Sequence, residues 1–334
     1  MRRIALLTGL LCAVSGCGST KVVQEPSITV SGDSRPASPG QGDDGQVRIA
    51  VVTHGQASSP FWVIVRNGVD AAERQMNVQV DYEAPDVYSL QRMIDLIDAA
   101  VATKPDGLVV SLPEPGLAPA IRRAVGAGIP VVSINSGSDT FRKLGVLAHV
   151  GQPEDRAGLA AGRRLARAGV RRALCVNQQV GNQGLDSRCA GLARAMRAVH
   201  GSSHVLGIDD QSTATAHKIG AEVVAGSYDG VLATNATGGL EAVEGVAGVR
   251  RRGRVKIGAF DLGPDVLAAV QDGKLLFAVD QQPYLQGYLP VVMLANKARY
   301  GLFPSQGDVV ATGAQFVTHA NAEQAIKLSE RSIR

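Results

Sequence analysis

The sequence predicts an α/β protein made of two doubly wound lobes, each a parallel β-sheet covered by helices on both faces. Three observations carry this expectation. Short β-branched runs alternate with Ala-rich stretches of about 12–16 residues whose apolar positions recur at i, i+3, i+4 and i+7. The runs are apolar throughout, as befits strands buried on both faces. Nine such runs and a terminal tail exceed one comfortable open sheet, so the chain divides into two lobes.

In chain order the strand runs are 47–52, 78–82, 107–111, 130–134, 171–176, 204–207, 230–233, 256–260 and 275–279. Each opens onto a polar or glycine-rich turn, and helical stretches such as 90–103 and 155–168 lie between them. Lys104-Pro-Asp-Gly and Gly126-Ala-Gly-Ile-Pro-Val read as helix-to-strand turns in which glycine caps the helix. No period of about 20–50 residues repeats, which excludes a solenoid.

The N-terminus sets the expected compartment. Arg2-Arg3 is a basic start, and the apolar run 4–14 is too short to cross about 30 Å of hydrocarbon. It matches the hydrophobic region of a secretory signal. The run ends in Val14-Ser-Gly-Cys, which resembles the bacterial lipobox, so we expect a signal peptide over 1–16 and a lipidated Cys17. Residues 17–45 are rich in Ser, Gly, Pro and Asp and read as a tether. Cys12 leaves with the signal, which leaves Cys175 and Cys189 in an oxidising setting. We expect them to bridge a strand to the following helix, with two separate buried thiols as the plainer alternative.

Net charge is only +4, so nucleic acid is not expected as a partner. There is no G-x-G-x-x-G after a strand, no P-loop, no H-E-x-x-H, no paired C-x-x-C and no G-x-S-x-G. Neither a cofactor, a metal nor an enzymatic activity is expected. Ligands of open α/β sheets bind beyond the carboxyl ends of the strands. There the sequence places Ser111, Asn135, Asn235, Asp261 and Gln281, while the loop after the first strand carries His54, Ser59 and the adjacent aromatics Phe61 and Trp62. Rings that cover C–H faces, with carboxylates, amides and guanidinium groups for hydroxyls, suit a sugar or polyol. The plainer readings are a helix staple for Phe61-Trp62, a surface salt bridge for Arg188, and loop capping for Asp261 and Gln281.

Several segments, in order, resemble the ribose-type periplasmic sugar-binding proteins of ABC importers: Ser59-Pro-Phe-Trp, Ala127-Gly-Ile-Pro-Val-Val, Val150-Gly-Gln-Pro-Glu-Asp-Arg-Ala-Gly, Arg188-Cys-Ala-Gly, Phe260-Asp-Leu and Asp280-Gln-Gln-Pro-Tyr-Leu-Gln-Gly-Tyr. The resemblance runs from about Val47 to Thr318. It implies a monomeric clamp whose lobes, 46–149 with 282–311 and 150–281 with 312–334, are joined by a hinge of three crossings. It implies that Phe61 and Trp62 sandwich a sugar. Ser59, Ser111, Asn135, Arg188, Asn235, Asp261 and Gln281 then supply polar contacts, with Asp210 nearby. Where the ribose pattern has an acidic residue followed by Arg, this chain has Asn135-Ser136. A less charged pocket follows, suited to another pentose, a hexose or a polyol. The implied role is to deliver that solute to an ABC permease. The alternative is a sensor working with a chemoreceptor or signalling system, for instance for a furanosyl autoinducer.

Overall fold

The computed structural model describes residues 46–56, 59–209, 212–249, 254–304 and 307–329. The lipidation expected at Cys17 and the ligand contact expected from Asp210 both lie outside these residues.

The strands, in chain order, are β1 (Arg48–Val52), β2 (Gln79–Glu83), β3 (Gly107–Ser111), β4 (Val131–Ile134), β5 (Ala148–Gly151) and β6 (Arg172–Asn177). They continue with β7 (Ser202–Gly207), β8 (Gly230–Ala233), β9 (Lys256–Phe260), β10 (Phe277–Asp280), β11 (Val309–Ala311) and β12 (Gln315–Val317). The first five helices are α1 (Pro60–Met76), α2 (Leu90–Ala102), α3 (Ala118–Gly126), α4 (Glu154–Arg167) and α5 (Gln183–Arg197). The remainder are α6 (Thr215–Ala225), α7 (Ala236–Ala247), α8 (Pro264–Gln271), α9 (Pro283–Tyr300) and α10 (Ala322–Ser329).

Two six-stranded sheets result, ordered β11-β5-β4-β3-β1-β2 and β12-β10-β9-β8-β6-β7. All pairings are parallel except β10 with β12. Residues of one strand point alternately to opposite faces, and both faces are covered. Ile49 and Val51 join a cluster with α1 and α9, while Ala50 and Val52 join one with α2 and α3. In the second sheet Ala173 and Cys175 face α4 and α5, whereas Leu174 and Val176 face α6, α7 and α8. The continuous apolar runs follow from this double burial.

Local sequence starts the helices where the site needs them. Pro60 opens α1 behind Ser59, and the Ser89 hydroxyl caps α2 by accepting from the Arg92 N–H at 3.1 Å. Asn182 and Asn235 cap α5 and α7, accepting from Gly184 N–H at 3.0 Å and Gly238 N–H at 2.9 Å. Helices α4 and α5 approach closely because Gly158 and Gly191 carry no side chain. A Cβ on Gly158 would overlap the backbone carbonyl of Arg188.

Three strands were absent from the nine expected. β5 is Ala-His-Val-Gly, whose apolar run is interrupted by His149, and β11 and β12 have three residues each, too few for an apolar run to register. β5 also carries the first sheet on to Gly151, past the boundary expected at 149. The chain passes between the sheets after β5, after β10 and between β11 and β12.

Candidate functional site

The carboxyl ends of the strands converge on a cleft of about 600 Å³ between the two sheets. The turn after β1 delivers His54, β4 delivers Asn135, and the start of α1 delivers Ser59, Phe61 and Trp62. From the second sheet come Gln178 and Gln179 after β6, Thr234 and Asn235 after β8, Asp261 after β9 and Gln281 after β10. Asn135 (φ 61°) and Asp261 (φ 69°) both adopt the left-handed region, which a non-glycine residue enters only when its surroundings over-determine it.

Arg188, on α5, is the most constrained side chain in the cleft. Only 2% exposed, it donates from Nε to Glu154 Oε2 at 2.6 Å and from Nη2 to Glu154 Oε1 at 2.9 Å. It also donates from Nη1 to the Thr234 carbonyl at 2.7 Å and from Nη2 to Gln281 Oε1 at 3.2 Å. Its guanidinium lies over the Phe260 ring, 4.3 Å from the centroid. Gln281 passes the interaction on, its Nε2 donating to Asp261 Oδ1. The amide orientation follows from its neighbours: Arg188 needs an acceptor and Asp261 a donor. Burial raises the pKa of Asp261 to about 6, against the opposing pull of Arg188. Burial would lower the pKa of Arg188, but Glu154 more than offsets it, so the guanidinium stays charged.

The first sheet contributes a neutral, aromatic wall. The Ser111 hydroxyl accepts from the His54 backbone N–H at 2.9 Å and bonds His54 Nδ1 at 2.8 Å. Burial holds the His54 pKa down to about 3, and the His149 pKa likewise. The two sides also touch directly. Gln183 N–H donates to the Pro113 carbonyl at 2.8 Å, and the Ser136 hydroxyl donates to Asn182 Oδ1 at 3.0 Å.

Those two histidines make acid stability a measurable consequence. The unfolded chain takes up a proton on each near pH 6.5, whereas the folded chain does so only near pH 3. Their contribution is complete above about 6.5 and is lost as pH falls towards 3, at about 1.4 kcal/mol per pH unit for each histidine. Urea titrations from pH 7 to 5 should show a shallower loss for His149→Gln than for the parent chain. Equal slopes would show that His149 protonates freely in the fold.

Of the residues singled out from sequence, Ser59, Phe61, Trp62, Asn135, Arg188, Asn235, Asp261 and Gln281 all line the cleft. Ser111 does not, because its hydroxyl is covered by His54. The aromatic sandwich is not present: Phe61 and Trp62 meet edge to face at 82° with centroids 5.1 Å apart, leaving no slot between them. Trp62 packs into the core beneath α1, only 6% exposed, so the helix staple describes much of its role. Asn235 lines the cleft while also capping α7. Arg188 is no surface salt bridge: it is buried against Glu154, which takes two of its donors. Sequence reading missed Gln178, Gln179, Asn182, Thr237 and Tyr88. The first three sit in the turn after β6 and were open to the same strand-end rule. Cys175 on β6 and Cys189 on α5 form a disulfide, with Cα atoms 5.7 Å apart.

Among the described residues no group of His, Cys, Asp and Glu could hold a metal ion, and no helix is long and apolar enough to cross a membrane. A family model described as a periplasmic binding protein domain matches residues 49–301. The xylose/arabinose-binding protein XylF of Sulfolobus acidocaldarius is 24% identical, the alignment covering 95% of this chain and 84% of that protein. A carbohydrate transporter protein of Acidothermus cellulolyticus, solved in complex with myo-inositol, is 35% identical with a TM-score of 0.80, over 87% of this chain and 100% of that one. A solute-binding protein of Burkholderia graminis solved with D-arabinose shares the fold at 22% identity and a TM-score of 0.74, over 84% of this chain and 97% of that one.

Proposed function

Since the chain belongs to the periplasmic binding protein domain family, whose relatives here are solute-binding proteins and not enzymes, we propose that it captures an uncharged sugar or cyclic polyol between its lobes. It then delivers that solute to an ABC permease from the extracytoplasmic face of the membrane, held there as a monomer by lipid on Cys17. Binding contacts are assigned to Ser59, Phe61, Trp62, Asn135, Arg188, Asn235, Asp261 and Gln281.

The observation that carries this reading is the balance of groups around the cleft. Amides from Asn135, Gln178, Gln179 and Gln281 both donate and accept, as hydroxyls do. Among the described residues the one guanidinium lining the cleft is matched by Glu154, and Asp261 adds a carboxylate, a balance that does not favour an anion. The 35% identical relative solved with myo-inositol supports a six-membered ring bearing hydroxyls.

Calorimetry against myo-inositol, xylose, arabinose, ribose and glucose tests the proposal, and at least one neutral compound should bind with Kd below about 10 μM. Binding by none would overturn it. Asp261 adds a pH signature. Its carboxyl protonates near pH 6 before binding, so a ligand held by the ionised form loses affinity below that pH, up to about tenfold per unit. Asp261→Asn should bind more weakly and lose that dependence.

A further inference from the structure

Glu154 does not line the cleft, yet it governs what Arg188 can offer there. A guanidinium has five N–H donors. Here Nε–H and one Nη2–H go to Glu154, the other Nη2–H to Gln281, and one Nη1–H to the Thr234 carbonyl. One Nη1–H is left for a ligand. Of the two edges that could grip a carboxylate or phosphate bidentately, Nε/Nη2 is already taken by a carboxylate of the protein, and on the Nη1/Nη2 edge Nη2 already donates to Gln281.

We propose that Glu154 is the positioning residue that makes this site selective for uncharged ligands, by occupying the Nε/Nη2 edge of Arg188 and cancelling its charge. The inference rests on the neutral-ligand reading above and names the group that enforces it.

Several contacts prepare Glu154 for this role. It is 1% exposed in the first turn of α4, where the helix dipole favours an anion. Gln152 Nε2 donates to its Oε2 at 2.8 Å. The glycine contacts between α4 and α5 bring the two backbones close enough for the pair to form with little freedom. From Glu154 the hydrogen bonds run through Arg188 and Gln281 to Asp261, so the same carboxylate also orients the two cleft groups beyond the arginine. An anionic sugar entering this cleft meets Asp261 and a guanidinium whose charge is already balanced and which has a single N–H left to offer.

The test is selectivity, which a merely structural role would leave unchanged. The parent protein, Glu154→Gln and Glu154→Asp are titrated calorimetrically with myo-inositol and with D-glucuronate, a six-membered ring bearing a carboxylate. The parent should bind no measurable glucuronate. Glu154→Gln uncovers the positive charge and should bind glucuronate measurably while losing at least tenfold on myo-inositol. Glu154→Asp keeps the charge but is one methylene short of holding Nε and Nη2 together. It should still reject glucuronate while binding myo-inositol several-fold more weakly.

An unchanged preference in Glu154→Gln overturns the role of Glu154 and leaves the neutral-ligand reading standing. A parent protein that prefers glucuronate overturns the neutral-ligand reading itself. If Glu154→Gln does not fold, Glu154→Asp decides: affinity for myo-inositol equal to the parent overturns the proposal. The glucuronate titrations retain their meaning even where the parent prefers a neutral sugar other than myo-inositol.

Discussion

Replacing Arg188 by alanine is expected to destabilise the unliganded protein by about 3–5 kcal/mol and to remove measurable ligand capture. The stability loss comes from Glu154, which would remain 1% exposed without its cation. Burial already pushes the Glu154 carboxyl above its ordinary 4.5, against the opposing pull of Arg188. Without the arginine it rises further. A raised carboxyl pKa gives no penalty below the unfolded value, and stability is lost as pH climbs towards the folded one. The deficit of Arg188→Ala should therefore be larger at pH 8 than at pH 5. Urea melts at both pH values measure it. The pair Arg188→Met with Glu154→Leu removes both charges at similar volume, and should recover much of the stability without recovering binding. A deficit that does not change between pH 5 and pH 8 would show that Glu154 is not left charged and alone.

Removing the disulfide by Cys175→Ala with Cys189→Ala is expected to lower stability by about 3 kcal/mol. The bridged residues are 14 apart, and a loop of about 15 residues gives that figure in the chain-entropy account. For a domain of this size the midpoint temperature should fall by roughly 6–12 °C. The effect reaches the cleft because Cys189 is the residue after Arg188, so the bridge ties this turn of α5 to β6. Ligand affinity should weaken modestly with it. Calorimetric melts with and without reductant, alongside mass spectrometry of unreduced peptides, check both points. Melts indifferent to reductant, with two free thiols, would contradict the bridge.

Much of the site was legible because strand ends are legible. An apolar run such as Lys256–Phe260 is visible without any partner, and the first polar residue beyond it, Asp261, lies in the interlobe cleft, as the strand-end rule expects. Asn135, Asp261 and Gln281 were found in this way, and Gln178 and Asn182 were open to it. β11 and β12 were not legible, since a three-residue strand acquires its identity from the strand it pairs with, Val309 with His149 and Val317 with Ala278.

The sequence by itself determined the alternation of strand and helix, the two-lobed division and the ring of polar residues at the strand ends. All of these rest on local periodicity or on residue type. Only the tertiary structure decided how those residues are used. Glu154 and Arg188 are 34 positions apart and meet because glycines let α4 and α5 approach. Ser111 is withdrawn behind His54, 57 positions away. Phe61 and Trp62 are turned perpendicular by packing against the core. A side chain's donors and acceptors are satisfied by whatever folding brings near them, so its type is written in the sequence and its remaining capacity for a ligand is set only by the folded neighbours.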